Sequence, residues 1–110
     1  MTEPNVSFIG PDTLAQWMAM SEVTLIDVRE PHEFAEARIA GSTLMPLSRF
    51  TPADITVAPG TRLVIHCRSG VRCGAAAGRL LAYGFDQPMW RLEGGLVNWA
   101  RMGHPTEPDD

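Results

Sequence analysis

Four short apolar, β-favouring runs are interleaved with four stretches of helical period along this chain. Residues 11–20 open the series. Pro11, Asp12 and Thr13 make a helix start, and Leu14, Trp17 and Met18 follow at helical spacing. Residues 24–28 (TLIDV) then read as a buried strand. Pro31 begins a short polar helix, Gly41 ends the irregular stretch after it, and STLMPL forms a further short strand. Residues 62–67 (RLVIHC) give the clearest strand. An alanine-rich helix follows and stops at Gly84. PMWRL is the last strand and GGLVNWARMG the last helix, with Leu96, Trp99 and Ala100 turned inward.

Strands and helices interleaved at this spacing imply an α/β fold: a central, mostly parallel sheet covered by helices on both faces. At 110 residues the chain forms one domain, with residues from about 104 to 110 expected as a flexible tail. There is no apolar run of about 18 residues that would span a membrane. The opening MTEPNVSFIG has neither the basic nor the apolar region of a signal peptide, so a reducing cytoplasm is the expected setting.

The formal net charge is −4, and all nine basic residues are arginine. That balance disfavours nucleic acid as a partner, because phosphate-backbone binding needs a clustered basic face. The two cysteines, Cys67 and Cys73, bracket a loop with two arginines and a glycine, so they read as thiols with chemistry. Ligands of parallel α/β folds sit beyond the carboxyl ends of the strands, which is where Cys67 falls. Gly70 allows a tight turn that aims successive backbone N–H groups into one concavity, and the following helix start adds positive potential. An anion belongs there. Cys67 is therefore expected as a thiolate nucleophile, with Arg68 and Arg72 adding positive charge.

The segment CRSGVR resembles the active-site loop of the rhodanese (sulfurtransferase) family. Residues 25–42 (LIDVREPHEFAEARIAGS) resemble the family's first signature, an Asp-Val-Arg segment leading to a turn. Here that turn has Arg38 and Ala40 where His and Pro are usual. Residues 90–105 (WRLEGGLVNWARMGHP) resemble the closing signature, with Leu96 where an aromatic is common. The resemblance implies a single rhodanese domain over residues 1–110, with the family's three-layer fold. It also implies an enzyme without cofactor: Cys67 takes a sulfane sulfur from a small sulfur-containing anion such as thiosulfate. The persulfide then passes its outer sulfur to a thiol, cyanide or a thioredoxin-like protein. Arg68, Ser69, Gly70, Val71 and Arg72 would form the cradle that binds the substrate. Two half-reactions through a covalent intermediate imply ping-pong kinetics.

Two alternatives stay open. One is a persulfide carrier that delivers sulfur to a partner protein. The other is a small phosphatase or arsenate reductase of the same fold. The latter is disfavoured because those loops are one residue longer, as a wider ring of N–H donors around a phosphoryl group requires. Cys73 is either a packed, inert thiol in the first helical turn or a resolving thiol that attacks the Cys67 persulfide.

The remaining candidates read as structural. His66 precedes Cys67 on a strand and should face away from the site. Asp27 and Arg29 should brace the sheet edge near the loop, and Glu30, Glu33 and Glu36 should form a solvated helix face. Trp17, Trp90 and Trp99 read as packing aromatics, and Gly94 with Gly95 is too weak a doublet for a nucleotide site. With no Cys-x-x-Cys and no histidine pair at helical spacing, with His32 at a helix start and His104 in the tail, no metal site is expected.

Overall fold

The computed structural model describes residues 5–108. Five strands form one sheet: β1 (Val6–Ile9), β2 (Val23–Asp27), β3 (Thr43–Leu44), β4 (Arg62–His66) and β5 (Met89–Leu92). Their order is β1-β5-β4-β2-β3, and every pairing is parallel. Four helices accompany them: α1 (Pro11–Ala19), α2 (Pro31–Glu36), α3 (Arg72–Tyr83) and α4 (Gly95–Arg101). Two short 3-10 turns, Leu47–Arg49 and Pro52–Asp54, lie between β3 and β4.

Alternation along the central strands divides the core into two layers. Leu63, Ile65 and Cys67 join Ile26 and Val28 against Cys73, Ala76, Ala77 and Leu80 of α3. Val64 and Leu25 face the opposite way, with Leu14 of α1 and Trp99 of α4. Helices therefore cover both faces of the sheet, as a parallel sheet requires. Trp17 packs edge-on against Trp90, with ring centroids 5.3 Å apart.

Several expectations need correction. β1 falls on no predicted element. It is an edge strand in which only Val6 is buried, so it lacks the apolar run that marks the interior strands. The STLMPL strand shrinks to Thr43–Leu44, and Ala100 is exposed instead of inward. β2 is an interior strand, so Asp27 and Arg29 brace a strand end and not a sheet edge.

The expected loose tail is fastened through residue 107. Arg38 and Glu107 exchange two backbone hydrogen bonds of 2.9 and 2.8 Å. The Trp99 indole donates to the Pro105 carbonyl at 2.8 Å, and His104 lies 2.7 Å from Asp12. Residues 109 and 110 lie outside the described residues. No helix among the described residues is long and apolar enough to cross a membrane.

The chain leaves β2 toward β3 on one side and leaves β4 toward β5 on the other. The carboxyl ends of β2 and β4 thus flank the point where the winding reverses, and such a point opens a crevice for ligands.

Candidate active site

Cys67 follows the last residue of β4, and α3 begins five residues later at Arg72. The intervening turn closes through Gly70, whose φ of +105° is accessible to glycine and strained for other residues. The Gly70 N–H donates to the Cys67 sulfur at 3.1 Å. Cys67 is only 1% exposed, so its sulfur forms the floor of the loop.

That sulfur is set up as a thiolate. Its pKa falls from the ordinary thiol range to about 5, first through a hydrogen bond from the Cys73 thiol. Burial opposes this, and the backbone N–H groups of Cys73, Gly70 and Ser69 reinforce it. The expected main-chain donors are thus present, joined by the Cys73 thiol, and the charges of Arg72 and Cys67 favour each other. Arg72 is turned to Glu33 of α2, with guanidinium–carboxylate contacts of 2.6 and 2.8 Å. Arg68 is exposed and, with Glu33, His32, Glu36, Leu96 and Val97, lines a groove of about 600 Å³ beside the loop. Ser69 is exposed, and Val71 is 77% exposed at the loop's outer edge.

Glu33 was expected on a solvated helix face; instead, it anchors the loop. Its carboxyl drops to about 2, chiefly through the Arg72 hydrogen bonds, with burial opposing and the Glu30 N–H assisting. Arg29 positions α2 for this contact. It forks onto Asp27 at 2.8–3.1 Å and donates to the carbonyls of Glu33 and Ala37. Glu30 is likewise engaged: it takes part in the capping box of α2 and accepts the Ser48 hydroxyl at 2.7 Å.

Behind the loop stands the start of α4. The N–H groups of Leu96 and Val97 donate to the carbonyls of Cys67 and Arg68 at 2.9 and 3.0 Å. A Cβ on Gly95 would lie 2.5 Å from both carbonyl oxygens, so only glycine lets the helix approach this closely. By fixing those carbonyls, α4 fixes the peptide planes that lead into the loop. The glycine doublet is thus a structural part of the site.

Arg91 also went unnoticed in the sequence. Its guanidinium donates to the Gly70 carbonyl at 2.6 Å and approaches the Cys73 sulfur at 3.3 Å, under the ring of Phe8. A charged residue inside the apolar PMWRL run was the available signal, because an arginine facing a helix layer requires partners. Cys73 is fully buried, and its sulfur lies 3.2 Å from the Gly70 carbonyl. Its pKa is raised, first by the bond to Cys67 and then by burial, with Arg91 opposing.

His66 faces away from Cys67, as expected. It is fully buried beside Asp27, with 3.6 Å between Nε2 and the carboxylate, and neither ring nitrogen has a hydrogen-bond partner. Burial holds it neutral by lowering its pKa. Among the described residues, no group of three or more His, Cys, Asp or Glu side chains is arranged to hold a metal ion.

Comparison with known proteins agrees with this architecture. Residues 10–102 match the rhodanese-like domain model. The chain is 40% identical over 105 residues to an uncharacterized protein of Synechocystis, covering 96% of this chain and 58% of that protein. It is 35% identical over 102 residues to a sulfurtransferase of Allochromatium vinosum, covering 91% and 94% of the two chains. It superposes on a thiosulfate sulfurtransferase of Pseudomonas aeruginosa with a TM-score of 0.78 at 25% identity, covering 98% of this chain and 20% of the other. In sequence and in fold, this chain belongs to the rhodanese family.

Proposed function

We propose that this protein is a sulfurtransferase that carries sulfur as a persulfide on Cys67. The observation that supports it most directly is the Gly70 N–H on the Cys67 sulfur, at 3.1 Å, in a loop closed by main-chain donors. Attack on a sulfur–sulfur bond needs a thiolate, and this environment favours one. With thiosulfate, the Cys67 thiolate bonds to the outer sulfur and sulfite leaves with the electron pair of the broken bond. The persulfide keeps its negative charge on the new outer sulfur, so the same donors hold the intermediate. Arg68, exposed beside the loop, suits the oxyanion end of such a donor.

A thiol, cyanide or a thioredoxin-like protein then removes the outer sulfur and regenerates the thiolate, which gives ping-pong kinetics. In the test, sulfite release from thiosulfate is followed with cyanide as acceptor. Wild type should turn over with parallel double-reciprocal lines, and Cys67→Ser should release no sulfite. Undiminished release by Cys67→Ser would overturn the assignment.

A further inference from the structure

We propose that Cys73 is a second reacting thiol: it discharges the Cys67 persulfide as hydrosulfide and leaves a Cys67–Cys73 disulfide for an external dithiol to reduce. This adds an activity, sulfide release, to the sulfurtransfer reading and rests on it.

Both sulfurs contact the backbone of Gly70, Cys67 at its N–H (3.1 Å) and Cys73 at its carbonyl (3.2 Å). A second, independent feature singles Cys73 out. The Arg91 guanidinium, 3.3 Å from its sulfur, is a cation placed where Cys73 would become an anion. Gly74 makes room for it, since a Cβ there would stand 2.8 Å from Arg91 Nη2. A merely packed cysteine needs no such partner.

The step balances without a further reactant. The proton on Cys73 passes to the anionic outer sulfur of the persulfide. The Cys73 thiolate, now beside Arg91, attacks the inner sulfur on Cys67. A sulfur–sulfur bond forms between the two residues, the original one breaks, and hydrosulfide leaves with the electron pair. A dithiol then reduces the protein disulfide and is oxidised to its own disulfide. Over the cycle, thiosulfate and the dithiol give sulfite, hydrogen sulfide and the oxidised dithiol. Arg91 acts here as a positioning residue, because it touches Cys73 and the loop but not the donor.

The test is a single turnover with thiosulfate and no external acceptor, reading sulfite, sulfide and intact mass. Wild type should release one sulfite and one sulfide per chain and end two hydrogens lighter, at a rate independent of protein concentration. Cys73→Ser should release sulfite, keep one added sulfur atom and yield no sulfide. Gly74→Ala, which displaces Arg91 without removing it, should slow sulfide release at least about tenfold, the effect of losing a charge-assisted hydrogen bond. It should also move the pH profile of that step upward, a change that loosened packing alone would not cause. Sulfite release with the extra sulfur retained by wild type would overturn this inference and leave the sulfurtransfer reading standing. Absence of sulfite from every protein would overturn both.

Discussion

Glu33 holds Arg72 through contacts of 2.6 and 2.8 Å, tying the helix after β2 to the first residue of the helix after β4. The pair spans the crevice where the sheet's winding reverses, so it sets the distance between the two walls of the site. Arg72 is consequently a clamp on the loop more than a free charge for the substrate.

Glu33→Gln should therefore lower stability by about 1 kcal/mol, as for a partly exposed bidentate pair. The folded carboxyl, at about 2, lies below its ordinary value. Its contribution is complete above the ordinary carboxylate pKa and is lost as pH falls toward 2. Urea midpoints of wild type and variant should thus converge over that acid range. A gap that persists to the acid end would show that the ion pair is not its source.

Gly95→Ala should cost more than Gly41→Ala, although both glycines have positive φ. At Gly41 a Cβ meets open space, so the penalty is backbone strain of about 1 kcal/mol. At Gly95 it meets the Cys67 and Arg68 carbonyl oxygens at 2.5 Å, and α4 must retreat from the loop. Thermal unfolding should rank the variants in that order, and sulfur transfer should fall only in Gly95→Ala. Equal losses of activity would contradict the role given to the α4 contact.

His66 should contribute acid instability and no chemistry. Its pKa is lowered by burial, so the unfolded chain takes up a proton that the folded chain refuses. Stability should decline as pH falls below about 6.5, the ordinary histidine value. His66→Leu removes two buried ring nitrogens that have no partner, and should flatten that decline while turnover persists. Loss of turnover in a folded His66→Leu protein would assign the ring a function.

The strand-end sulfur and its turn were legible in the sequence because both are local: a cysteine at a strand end and a glycine three residues on. The interior strands and the helices were legible for the same reason, through their hydrophobic periods. What escaped depends on distance along the chain. Glu33 reads as helix surface until Arg72, 39 residues away, is folded against it. Gly95 reads as a weak doublet until the Cys67 and Arg68 carbonyls come within reach of α4. Arg91 and Cys73, 18 residues apart, meet only because β5 lies beside β4 and α3 covers both. β1 was silent because an edge strand buries little.

The central claim is that the loop keeps the Cys67 sulfur anionic near neutral pH. The most direct measurement is the pH dependence of Cys67 alkylation by iodoacetamide, mapped to that residue by peptide mass spectrometry. The expected result is a rate that inflects near pH 5 and stays level through neutrality. An inflection at about 8.5, where a free thiol titrates, would contradict it.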